Sequence, residues 1–254
     1  VVLLAACGGG NRPDTTPQTS SLRASEGQLD SLWQRASTKL AEEEWNDAAI
    51  LFERLMLELP RRDSRLPRAR LGLGDARLGQ KSFLQAVREY RRTADDYPTD
   101  SLAPAGLLRA GDAYARLWRR PELDPTYGTQ AMATWQELLT RYPQSSFADS
   151  ARARIDGLNE WFAVKALKAG EFYLRYKAYD SAIIYLSDLV VRYPQTEVAP
   201  VAMVQLINAY RRLGYEEDVS EKCGYFRLNY PDAQLLDETC PATATPGAAT
   251  LPDS

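Results

Sequence analysis

The residue types that usually carry out chemistry are scarce in this chain. It has 254 residues, no histidine and three cysteines. Without histidine it lacks the commonest general base and the commonest metal ligand. Cys7, Cys223 and Cys240 make no C-x-x-C pair, so they do not read as a structural zinc site. Gly72-x-Gly74 stops short of the third glycine that a dinucleotide-binding turn requires, and it falls within a helical pattern. Neighbouring carboxylates such as Asp95-Asp96 point to different sides of a helix and read as solvent-facing. There is no P-loop. The side chains therefore predict no catalytic site, no cofactor and no metal, and the chemistry they offer is recognition.

A net charge of −3 and a pI near 5.3 give no basic footprint for nucleic acid. Arginines recur in pairs at Arg61-Arg62, Arg91-Arg92, Arg119-Arg120 and Arg211-Arg212. Most lie near the ends of helical segments, where a cation opposes the negative end of the helix macrodipole. No apolar run approaches the ~18 residues needed to span a bilayer as a helix.

Cys7 is placed for lipidation, the alternative being a cysteine that stands there by chance in an ordinary cytosolic chain. Leu4-Ala5-Ala6-Cys7 follows an apolar run and resembles the lipobox of bacterial lipoproteins. That resemblance implies cleavage before Cys7 and acylation of its thiol and new amino group. Each buried methylene adds about 0.8 kcal/mol, so several acyl chains hold a protein to a membrane durably. The sorting pattern of such lipoproteins, with Gly8 and not Asp after the cysteine, implies the outer membrane. The polar stretch that follows, rich in Gly, Pro and Thr, reads as a flexible tether.

From about Gln28 to Pro231 the apolar residues recur at helical spacing. Leu59-Pro60, Tyr97-Pro98, Tyr142-Pro143, Tyr193-Pro194 and Tyr230-Pro231 each close a segment, because proline disfavours helix in the residue before it and cannot continue the hydrogen-bond ladder. The intervals between these prolines are 38, 45, 51 and 37 residues, a period that belongs to stacked helix pairs. Twelve residues before the first four prolines stand Ala48, Ala86, Ala131 and Ala182; eight before stand Phe52, Tyr90, Trp135 and Leu186. Val219 and Cys223 hold these places in the fifth unit. Ala36, Gly74, Gly111 and Gly170 mark the close crossing on the first helix of each unit. A small residue admits a second helix and a large one fills the groove beside it.

These features resemble the tetratricopeptide repeat. The fold they predict is all-α, a solenoid of about five helix pairs with a disordered N-terminal tether and C-terminal tail. The divisions are a partial lipoprotein signal peptide at 1–6, a lipidated cysteine and tether at 7–27, units 1–2 at 28–100, unit 3 at 101–145, units 4–5 at 146–232 and a tail at 233–254. Unit 3 carries about eight extra residues between its helices, Arg119 to Thr126, and Phe147 to Tyr176 reads as one overlong helix.

Leu123-Asp124-Pro125-Thr126-Tyr127, Arg141-Tyr142-Pro143-Gln144-Ser145, Gly170-Glu171-Phe172-Tyr173 and Arg192-Tyr193-Pro194-Gln195-Thr196 resemble the BamD (ComL) family of outer-membrane assembly lipoproteins. The Trp-rich first repeat (Trp33, Trp45), the acidic run Glu42-Glu43-Glu44 and the tail after Cys240 depart from that family. The resemblance implies a lipid-anchored protein at the periplasmic face of the outer membrane. Units 1–2 would receive unfolded β-barrel precursors, units 4–5 would dock the periplasmic domain of BamA, and other assembly lipoproteins are possible partners. A lipoprotein that coordinates cell-wall synthesis or division is the rival reading.

In such a solenoid the first helices line the concave face. The residues expected there are Trp33, Arg68, Leu71, Asp75, Asp112, Arg116, Glu171, Arg175, Asn208, Arg211 and Arg212. Together they could hold an extended peptide, with arginine gripping carboxylates. The alternative is that the charges are a solvated face and Trp33 belongs to the repeat core. Cys223 and Cys240 could form a disulfide in an oxidising compartment. Alternatively, Cys223 is a small core residue and Cys240 a residue of the tail.

Overall fold

The structure, a computed structural model, describes residues 24–241. Cys7, the signal peptide and most of the tether lie outside the described residues, as does the tail from 242 onward.

The chain folds as eleven helices among the described residues, with no strand. They are α1 (Glu26–Ala41), α2 (Trp45–Glu58), α3 (Leu66–Gly79), α4 (Phe83–Asp96), α5 (Ala103–Ala115), α6 (Thr126–Arg141), α7 (Ala148–Arg175), α8 (Tyr179–Arg192), α9 (Ala199–Leu213), α10 (Glu216–Asn229) and α11 (Leu236–Thr239). The first ten form five antiparallel pairs, each packed on the next, which is the tetratricopeptide solenoid. The first helix begins slightly earlier than its periodicity predicts. Ser25 caps it, accepting from the Gln28 amide while the Gln28 side chain accepts from the Ser25 amide.

The prolines end the units as expected, and the tyrosine before two of them has a further task. The Tyr142 hydroxyl donates to the Pro98 carbonyl at 3.0 Å, and the Tyr230 hydroxyl to the Pro194 carbonyl at 2.9 Å. Each tyrosine thus pins its own turn to the turn of the preceding unit. After three of these stops, a proline stands in the first turn of the next first helix (Pro104, Pro200 and, after Pro60, Pro67), where its missing N–H is not needed.

Within each unit the crossing is built as the residue spacing implies. Ala48, Ala86, Ala131 and Ala182 are fully buried, and Phe52, Tyr90, Trp135 and Leu186 are buried beside them. Tyr90, Trp135 and Leu186 lie directly against Gly74, Gly111 and Gly170, so close that a Cβ at Gly170 would stand 2.7 Å from Leu186. The turns between paired helices place Glu43, Lys81, Lys177 and Gly214 at positive φ, the left-handed conformation that closes a helix end.

The 28-residue α7 changes the architecture. Its first half (Ala151, Ile155, Leu158, Phe162) joins the core made by α5 and α6, and its second half (Ala163, Leu167, Leu174) joins the core of α8, α9 and α10. One helix therefore splices units 1–3 to units 4–5. The insertion, between Arg116 and Pro125, lies against this splice. Lys165 donates to the Glu122 and Leu123 carbonyls at 3.3 and 3.0 Å, and Lys168 pairs with the Glu122 carboxylate. Under it, buried Trp118 sits among Trp161 and Phe162, and Phe162 stacks on Tyr193.

The C-terminal end differs from the expected tail, which was to begin at 233. Residues 233–241 are ordered, because Leu236, Thr239 and Cys240 are buried against α9 and α10. α11 starts five residues after Pro231, as α9 starts five after Pro194 and α7 five after Pro143. It is a single helical turn at the place where the first helix of a sixth unit would begin. Cys223 and Cys240 are joined by a disulfide, so Cys223 is both the groove-filling residue of unit 5 and the anchor of this cap. Cys240 is part of the folded end and not of a tail.

Candidate partner-binding surface

The inner face is organised by contacts between successive first helices. Asp75 on α3, Asp112 on α5, Glu171 on α7 and Asn208 on α9 lie at one repeat position, beside the crossing residue of each unit. The Arg109 Nη1 donates to Asp75 at 2.6 Å, the Arg154 Nε to Asp112 at 2.9 Å, and the Gln205 Nε2 to Glu171 at 3.2 Å. Each of the three acids is therefore held by a donor on the next first helix. Asp75 also accepts from the Tyr90 hydroxyl at 2.7 Å. Burial, followed by the nearby Asp75 charge, pushes the Tyr90 hydroxyl well above the usual phenol range, so it stays a donor.

Four residues after Asp112, Glu171 and Asn208 stand Arg116, Arg175 and Arg212. All three are exposed, and among the described residues none meets a carboxylate. Arg68 is exposed as well. With its acids already engaged, this surface presents arginine outward although the chain as a whole is slightly acidic. Such a surface is suited to carboxylate-bearing segments, which arginine grips in bidentate fashion.

Three of the residues expected on this face are placed otherwise. Leu71 is 5% exposed and packs with Val87 and Tyr90 in the core, because it sits on the buried side of α3. Trp33 is half-buried, edge-on to Phe52 with ring centroids 6.1 Å apart, and belongs to the core of unit 1. Arg211 is turned to the cap, where it donates to the Thr239 carbonyl; Asn208 accepts from it at 3.2 Å. Arg227 completes the clamp, donating to the carbonyls of Cys240 and Pro241 at 2.7 and 2.9 Å.

Arg109, Arg154 and Gln205, which connect the repeats, were not among the residues expected on this face, and Tyr90, expected only to fill a groove, also holds Asp75 within unit 2. Arg109 and Gln205 carried a signal, since each stands three residues before the repeated polar position. Arg154 carried none, because only the overlong α7 brings it beside Asp112.

A solenoid of helix pairs with a polar inner face, cross-linked between units and open at its arginines, defines a repeat protein of the tetratricopeptide type. The sequence pattern of the outer membrane lipoprotein family YfiO matches residues 25–223, and the chain belongs to that family. The outer membrane protein assembly factor BamD of Caulobacter vibrioides is 25% identical over 207 residues, 81% of this chain and 67% of the relative. Its namesake in Vibrio cholerae is 33% identical over 110 residues, 43% of this chain and 46% of the relative. The matches thus span two thirds of the first relative and under half of the second. Among solved structures, the TPR2AB domain of yeast Sti1 is similar with a TM-score of 0.45 and 13% identity, covering 82% of this chain and 79% of that one.

Proposed function

We propose that this chain is a non-catalytic scaffold of outer-membrane protein assembly. In this reading it is tethered through a lipid on Cys7 to the periplasmic face of the outer membrane. Units 1–2 receive unfolded β-barrel precursors, and units 4–5 dock the periplasmic domain of a BamA-type barrel protein. The observation that carries the reading is the family match from residue 25 to 223, which runs through the first four units and the overlong α7 and into α10 of the fifth. The outward-facing arginines support it, since they suit a protein partner and offer no catalytic constellation.

Affinity purification of the lipidated protein from its native envelope is the test. Recovery of a β-barrel protein with periplasmic repeats is expected. Recovery of peptidoglycan enzymes without such a barrel protein would replace this function with the cell-wall one. Charge reversal at Arg175 and Arg212 should weaken the barrel contact at least 10-fold. Arg211 is unsuitable for this purpose, because reversing it would also break the cap.

A further inference from the structure

In α3, α5 and α9, two positions seven residues apart carry the second helix of the preceding unit. They lie five residues before and two after the crossing residue, and are Ala69/Ala76, Gly106/Ala113 and Ala202/Ala209. All six are small and buried. Gly106 shows why: a Cβ there would stand 2.6 Å from the Tyr90 carbonyl of α4. The same two positions in α7 are Lys165 and Phe172. Among the described residues no second helix covers them, because α6 packs on the first half of α7 and the splice carries the second half beyond its reach; at Lys165 the insertion takes its place.

The uncovered face begins at a groove of about 570 Å³ lined by Pro125, Phe162, Ala166, Ala169, Tyr185 and Tyr193, among others. The insertion lies at its near end, held by Lys165 and Lys168. Its far end is aromatic. Phe172 lies 4.8 Å from Tyr176 and 5.4 Å from Tyr173, which stacks on Tyr185 at 5.2 Å between ring centroids. Phe172, Tyr176 and Tyr185 are 47%, 71% and 40% exposed, a contiguous apolar surface of the kind that marks a binding site. Arg175 and Lys177 flank it, and among the described residues neither meets a carboxylate.

We propose that this face of α7, from Phe162 to Tyr176, docks an amphipathic helix of a partner protein whose facing side chains are small and whose flank is acidic. The length argues for a helix. The free half of α7 runs for about 20 Å at 1.5 Å per residue, the span of the 14-residue helices α2, α4 and α8 that fill the equivalent place in the other units. The small seam follows from packing. Elsewhere the first helix is small where the second is large, as Gly72 is against Phe52, whereas here the first helix supplies the bulk. The acidic flank follows from Arg175 and Lys177.

The test uses the full chain and two fluorescently labelled 16-residue helical peptides with an alanine-rich face, one flanked by glutamates and the other by lysines. Binding is read by anisotropy and located by amide exchange. The glutamate peptide should bind and protect residues 162–188. The exposed pair F172S/Y176S should weaken it at least 10-fold with unchanged helical circular dichroism, and R175E/K177E should transfer the preference to the lysine peptide. Absence of glutamate-peptide binding, or binding indifferent to these substitutions, overturns the proposal. So does self-association of the parent chain, by light scattering, that F172S/Y176S abolishes, because a second copy would then be the occupant. These outcomes do not depend on which protein is recovered from the envelope.

Discussion

At Gly111 the distance between two helices is set by the absence of a side chain. The Trp135 indole occupies the space a Cβ would need, and its Nε1 donates to the Leu108 carbonyl at 3.2 Å, so the ring cannot swing away freely. Gly111→Ala should therefore cost about 1–3 kcal/mol through overpacking, read as a lower denaturation midpoint. Gly157, exposed on α7 with nothing near its missing Cβ, is the contrasting site. Gly157→Ala should stabilise by about 0.5–1 kcal/mol, since it only restricts the unfolded chain. Equal effects at the two glycines would contradict the close crossing. The spacing of Gly74, Gly111 and Gly170 from the prolines already places these crossings, but which aromatic fills each depends on packing.

At the scale of the element, the turns between paired helices carry strain that the sequence does not announce. Glu43, Lys81 and Lys177 adopt φ near +58°, where an L side chain crowds its own backbone, whereas Gly214 takes the equivalent turn without penalty. Lys81→Gly and Lys177→Gly should each raise stability by about 1 kcal/mol, measured by denaturant titration. A loss of stability would mean that the lysine side chains contribute more than the strain costs. Glycine usually signals such a turn, and three of the four lack it, so these turns were not legible. The long α7 was legible from the unbroken periodicity between Phe147 and Tyr176. Its division between two cores was not, because periodicity shows that a face is apolar and not which neighbour covers it.

For the whole molecule, the C-terminal cap and the nearest-neighbour character of a solenoid make one prediction. The disulfide closes a loop with a sequence separation of 17, and restricting such a loop in the unfolded chain is worth about 3 kcal/mol. Reduction by a dithiol should accelerate amide exchange in 233–241 and in α10, and leave α1 to α5 unchanged, since each unit feels mainly its neighbours. Uniform acceleration along the rod would show that the five units unfold as one.

The sequence by itself determined the helical class, the five closing prolines, the small and large residues at each crossing, the insertion and the overlong helix. These are local matters of backbone restriction and side-chain volume, written at fixed spacing. Only the tertiary structure decided that Leu71 and Trp33 are core residues, that Arg211 serves the cap and that Cys223 pairs with Cys240. It also decided that each inner acid is matched by the next first helix, and that among the described residues no helix packs on one face of the second half of α7. Each of those depends on which helices become neighbours, and in this chain the 28-residue α7 alters the junction between units 3 and 4 while unit 5 packs on unit 4 as the earlier units pack on one another.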